Sequence, residues 1–182
     1  MTAPIADSLT YPTASALRDC LREQLALTLH GPIARAAVRW GAVGSGLDGC
    51  DCEERDDAGG IIGRGAAWVR VAGVAPAPLD GRARSVGPIR ATVCRPPWLV
   101  TYELGVSRCY PLTDSGAPLS AVDQDIAAQR MLSDQAAVLR AVSCCAYLDK
   151  HSGVELVRVD PTGPAGGCAG VTATIRVLQP RG

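Results

Sequence analysis

Residues 98–106 read WLVTYELGV. Trp98, Val100, Tyr102 and Leu104 recur at every second position, with Thr101 and Glu103 between them. That spacing predicts a strand with one strongly apolar face. A face of this kind has to be covered by a second layer, so the rest of the chain must supply one. Just upstream, IRATVC (89–94) can open a strand that Pro96-Pro97 then interrupts.

Other strand runs flank this one. RAAVRWGAV (35–43) shows the Val38/Trp40 alternation of a short strand. AAWVRVAGV (66–74) places Trp68 on one face and Val69 and Val71 on the other. VELVRVD (154–160) and VTATIRVLQ (171–179), joined by PTGPAGGCAG, read as a terminal hairpin or as two edge strands. Two long loops are expected by composition, at 44–65 and 75–88.

Two helical periodicities supply the covering layer. In ASALRDCLREQLALTLHG (14–31), Leu17, Leu21 and Leu25 fall at i, i+4 and i+8, with Cys20 and Leu29 near the same stripe. Thr13 or Ser15 is the expected cap, and Gly31-Pro32 the stop. The longer segment is SAVDQDIAAQRMLSDQAAVLRAVSCCAYL (120–148). Ser120 and Asp123 form a capping pair, and Asp125 suits the positive end of the helix. Leu132, Leu139 and Val142, with Cys145 or Ala146, make the expected buried stripe; Ser133-Asp134 is a place where the helix could divide. The predicted fold class is therefore α+β: an N-terminal helix and a long second helix on a mixed, mostly antiparallel sheet with long loops. Residues 1–182 read as one domain.

Composition sets outer bounds. Of 182 residues, 47% are hydrophobic and 20% charged, the balance of a globular chain. There is no Phe, with only three Trp and four Tyr, so small residues must fill much of the core. Lys150 is the one lysine among 18 basic residues, and the formal net charge is zero. No global field therefore favours nucleic acid or an acidic membrane surface. The N-terminal run lacks a basic region followed by an apolar one, and no window reaches bilayer length, so a chain made in a cytoplasm with no membrane partner is expected. Its eight cysteines would begin there as thiols.

No catalytic motif emerges. His30 and His151 each follow a helix, where the expected role is to cap it and meet its dipole. GxSxG, HExxH and Walker patterns are absent from the sequence. No cofactor is implied, and the chain reads as a non-enzyme. Cys20, Cys144 and Cys145 read as small helix-borne hydrophobes, and Cys168 as a loop residue. Cys50, Cys52, Cys94 and Cys109 form the one candidate metal cluster. Against it, CxC is not a CxxC knuckle, and Asp51, Glu53 and Glu54 disfavour thiolates. Free thiols, or a disulfide formed after release from a cell, are the competing readings. A zinc enzyme using Cys50 and Cys52 is the alternative from a different class. Finally, DGCDCEERDD (48–57) carries six acids, including Glu53, Glu54, Asp56 and Asp57, whereas residues 82–95 carry Arg82, Arg84, Arg90 and Arg95 with no acid. These runs are solvated loops or complementary patches between subunits.

Taken together, SALRDCLREQL, GCDCEE, AAWVRVAGV, YELGVSRCYP, MLSDQAAVLRAV and TATIRVLQ resemble the tail terminator proteins of long-tailed phages infecting actinobacteria, encoded with the head-to-tail connector genes. The most telling piece is YELGVSRCYP, with Glu103, Gly105, Arg108 and Cys109. The resemblance implies a self-assembled ring, usually a hexamer, that caps the tail tube and halts its polymerisation. Its other partners would be the tail tube protein and the head-closure connector. DNA would cross the lumen without specific binding. The protein would sit in the virion neck after assembly in the host cytoplasm. A head-closure or adaptor protein is the neighbouring alternative.

Overall fold

A computed structural model describes residues 9–33, 35–39, 65–77, 97–110, 119–151, 153–165 and 167–179. The elements run α1 (Tyr11–Leu25), β1 (Arg35–Arg39), β2 (Ala66–Pro76), β3 (Trp98–Cys109), α2 (Ala121–Ser143), β4 (Val154–Ala165) and β5 (Cys168–Gln179). A short 3₁₀ turn, Leu148–Lys150, follows α2. The five strands form one sheet in the order β1-β2-β3-β5-β4. Only β1 and β2 are parallel; the other three pairs are antiparallel. The fold is α+β, with both helices on one face of a mixed sheet.

β3 lies at the centre, as its alternation requires. Val100, Tyr102, Leu104 and Val106 are fully buried beneath the helices, beside Val171, Ala173, Ile175 and Val177 of β5. Leu17, Leu21 and Leu25 of α1 close over them, all fully buried. Fully burying one such side chain contributes about 1.5–3 kcal/mol, so the three leucines together stabilise the helix layer by several kcal/mol before entropy is counted. Tyr102 adds a polar tie. Its hydroxyl donates to the Thr10 carbonyl at 3.1 Å and accepts from Gln179 Nε2 at 3.1 Å, and the same amide donates to Thr13 Oγ1 at 3.0 Å. The N-terminus of α1 is thereby pinned to β3 and β5. Helix α1 starts earlier than expected. Thr10 is the N-cap, with Pro12 in the first turn, and Thr13 is buried inside the helix. The predicted Ser120 cap of α2 forms: the Asp123 N–H donates to Ser120 Oγ at 3.1 Å.

Helix α2 differs from expectation in two respects. It is continuous through Ser133-Asp134, and its buried residues are Ala127, Asp134, Ala137, Val138, Ala141 and Val142. Leu132 is 62% exposed and Leu139 37% exposed, so of the expected stripe only Val142 and Cys145 are buried. Leu132 and Asp134 differ by two positions, about 200° around a helix, so the leucine stripe is on the opposite side. Alanines on the inner side let α2 approach α1 and the sheet closely; leucines would hold it away. Leu139→Asp is therefore expected to give soluble protein, with a stability loss of about 1–2 kcal/mol in a denaturant titration.

The terminal strands do form a hairpin, and β5 is an interior strand rather than an edge. Much of the predicted connection is strand: β4 runs on to Ala165 and β5 begins at Cys168, which is buried. Leu29, expected near the α1 stripe, is 66% exposed beyond the helix end.

Candidate functional site

Alternation along β3 does not stop at Val106. Two residues on, Arg108 also points beneath the helices and is 2% exposed. A guanidinium buried so deeply needs a partner, because an unpaired buried charge costs several kcal/mol. The partner is Asp134, fully buried on the inner face of α2. Arg108 Nε donates to Asp134 Oδ2 at 3.1 Å and Nη2 to Oδ1 at 3.3 Å, a two-pronged contact. Nη2 also donates to the Gly31 carbonyl at 3.0 Å and lies 3.5 Å from Thr28 Oγ1.

His30 completes the cluster. Its Nδ1 lies 2.8 Å from Asp134 Oδ2. An ionised carboxylate only accepts, so Nδ1–H is the donor. The expected capping role of His30 is thus replaced by a side-chain bond across to α2. Beside it, the Leu29 N–H donates to Ser133 Oγ at 3.1 Å. Residues 28–31, after α1, are therefore held from two sides: by Arg108 from the sheet and by Ser133-Asp134 from α2.

Burial acts to raise the Asp134 carboxyl pKa, but the His30 hydrogen bond, the adjacent Arg108 charge and the Arg108 hydrogen bonds outweigh it and hold the group below its ordinary 3.8. The sign follows directly. A depressed folded pKa contributes stability above the unfolded value, and that stability is lost as pH falls through the folded one. The melting-temperature gap between wild type and Asp134→Asn is therefore expected to be widest near neutral pH and to narrow below about pH 4. Calorimetry across this range checks it.

The His30 end of the cluster borders a pocket of about 280 Å³, lined by His30, Cys109, Tyr110, Asp123, Ile126, Ala127, Arg130 and Met131. A histidine oriented by a carboxylate can act as a base when a nucleophile lies within reach. Among these lining residues the only thiol belongs to Cys109, which is disulfide-bonded. Asp134 meanwhile spends its charge on Arg108. The His30, Asp134 and Arg108 contacts tie together α2, β3 and the segment after α1.

The remaining motif residues also serve the frame. Arg70 Nη2 donates to Glu103 Oε1 and Oε2 at 2.8 and 2.7 Å, between directly opposed residues of β2 and β3 on the face turned away from α1 and α2. Gly105 lies under Trp68. A Cβ there would come within 2.6 Å of the indole Cζ2 and 2.8 Å of the Val171 carbonyl oxygen. In YELGVSRCYP, then, Glu103, Gly105 and Arg108 each hold neighbouring elements together.

Several sequence expectations stand otherwise. Cys20 and Cys145 are joined in a disulfide, with Cα atoms 5.7 Å apart, rather than packed as two thiols. The physical reason is that α1 and α2 lie side by side, which brings the middle of one to the end of the other. Cys168 is likewise disulfide-bonded, and Cys144 is an exposed free thiol. Cys109 cannot serve as a zinc thiolate while oxidised, and Cys50, Cys52 and Cys94 lie outside the described residues. Among the described residues no group of three or more His, Cys, Asp or Glu is placed to hold a metal. The interface candidates Glu53, Glu54, Asp56, Asp57, Arg82, Arg84, Arg90 and Arg95 also lie outside the described residues, as does Trp40. His151 does not cap α2 with its side chain: it stacks at a tilt on Tyr147, 5.6 Å between ring centres, with both ring nitrogens buried and unpartnered. No described helix is long and apolar enough to cross a membrane.

Arg108 could have been read from period two alone. Extending Val100, Tyr102, Leu104 by two steps twice gives Val106 and then Arg108. Asp134 gave no such signal, because an acid amid polar residues on a helix is ordinarily solvated. No protein-family model matches the chain, and no curated protein does.

Proposed function

We propose that this chain is a structural subunit of a phage tail, a ring-forming tail terminator. Its ring of six copies would cap the tail tube, stop tube polymerisation and join the tail to the head connector. Its partners would be copies of itself, the tube protein and the head-closure protein, in the virion neck after assembly in the host cytoplasm. DNA would pass through the lumen without specific contacts. It would act without a cofactor and without catalysis.

One observation carries this reading. The sheet ends in two unlike strands, β1 and β4, and β4 exposes Val154, Leu156 and Val157. A ring subunit must offer two different surfaces to its neighbours, since head-to-tail contacts are what generate rings. The residues that carry the family resemblance support the same reading, since they serve as struts of the frame. The fold also favours a terminator over its neighbours in the neck. An adaptor is expected to be mainly helical and a head-closure protein to be a small barrel, whereas the described residues place two helices on one face of a five-stranded sheet.

Negative-stain images and light scattering of the purified protein test the proposal. Closed rings with a central hole are the expected result. A chain that stays monomeric at every concentration would exclude it.

A further inference from the structure

We infer that the sheet continues from one copy of this chain to the next, by antiparallel pairing of β4 with β1 of the neighbouring copy. The number of copies rests on the ring reading above; the pairing rests on the two edges themselves.

Direction comes first. β1 runs parallel to β2, and three antiparallel steps follow through β3 and β5 to β4. β4 therefore runs opposite to β1. Rotation about an axis along the strands keeps that sense, so β4 of one copy meets β1 of the next as an antiparallel partner.

Spacing comes second. On the face turned away from α1 and α2, β1 presents Arg35, Ala37 and Arg39, opposite Ala66, Trp68 and Arg70 of β2. On the same face β4 presents Glu155, Arg158 and Asp160, opposite Arg176, Thr174 and Thr172 of β5. Glu155 and Asp160 are five residues apart in sequence, but the bulge between Leu156 and Arg158 absorbs one. Their β5 partners are four positions apart, as Arg35 and Arg39 are, which is roughly 13 Å along a strand. In the antiparallel register Glu155 meets Arg39 and Asp160 meets Arg35. Arg158, the one like charge, falls opposite Ala37.

The other face agrees. The same register sets Leu156, 43% exposed, against Val38, and Val159 against Ala36. β4 is also long enough to span the whole of β1. β1 has five residues, and β4 has six paired positions from Val154 to Asp160 before Pro161, which has no N–H to donate, so every β1 residue finds an opposite number. Each residue keeps its own contacts. Glu155 lies 3.5 Å from Arg176, Asp160 lies 3.1 Å from Arg158, and Arg35 has interactions within its chain. A carboxylate has room to accept from a second guanidinium. Among the described residues β1 and β4 are the two borders of the sheet, and joining them would cover edges that otherwise invite uncontrolled association.

The test uses the full chain with two variants, R35E/R39E and E155R/D160R, read by light scattering at low ionic strength, where exposed charges act most strongly. Each variant alone should lose the assembled species. An equimolar mixture should regain it, because the acidic β1 edge of one variant meets the basic β4 edge of the other. The fourfold variant R35E/R39E/E155R/D160R should assemble by itself, which guards against a simple folding defect, as does an unchanged melting temperature. If either variant alone assembles like wild type, or neither the mixture nor the fourfold variant recovers, the pairing is wrong even where wild type forms rings. A loss confined to E155R/D160R would point to symmetric β4–β4 pairing and also overturn it. Monomeric wild type would overturn the ring reading and the pairing together.

Discussion

Asp134→Ala is expected to lower the free energy of unfolding by about 3–5 kcal/mol, the cost of removing one member of a buried ion pair. The substitution strips the Arg108 guanidinium of both its carboxylate contacts while the residue stays 2% exposed. It also releases His30 from α2, while Arg108 keeps its bond to the Gly31 carbonyl. For a chain of this length the loss should appear as a melting temperature lower by roughly 10 °C. Arg108→Met with Asp134→Leu should recover much of it, since a packed apolar pair can replace a buried salt bridge at little cost. A denaturant titration of the single and double variants decides the matter. If Asp134→Ala melts within 2 °C of wild type, roughly a half to one kcal/mol at this size, then the cluster is not the strut described here.

Cys20→Ala with Cys145→Ala is the second large effect, expected at about 2–5 kcal/mol. The disulfide spans a sequence separation of 125 residues, so it restrains a long stretch of the unfolded chain. It also joins α1 to α2 at the far end of their contact from His30 and Asp134, so the two helices are clamped at both ends. Non-reducing peptide mapping should recover the Cys20–Cys145 linkage, with Cys144 alkylated as a free thiol. Equal stability of variant and oxidised wild type would show that the bond contributes nothing to the fold. A protein made in a reducing cytoplasm would acquire the bond late, so stability should rise when freshly purified reduced protein is oxidised.

The alternation from Trp98 to Leu104 determined by itself that β3 would be a strand with one buried face, because period two has no other structural use. The spacing of Leu17, Leu21 and Leu25 likewise determined which side of α1 faces inward. With the Ser120 cap, these readings were enough for the α+β class. The inner side of α2 was decided only in three dimensions. Leucine outweighs alanine in any hydrophobic pattern, yet the close approach of α2 to α1 and β5 selected Ala127, Ala137 and Ala141 and left Leu132 and Leu139 outside. Asp134 went inward for a reason no local pattern holds. Its partner Arg108 is 26 residues away on β3, and its other partner His30 is 104 residues away beyond α1. A buried charge is tolerable only where such partners converge, and convergence belongs to the fold. The same holds for Cys20 with Cys145. It holds as well for the bulge that brings Glu155 and Asp160 into the spacing of Arg35 and Arg39: strand pairing, not sequence distance, sets how far apart side chains stand.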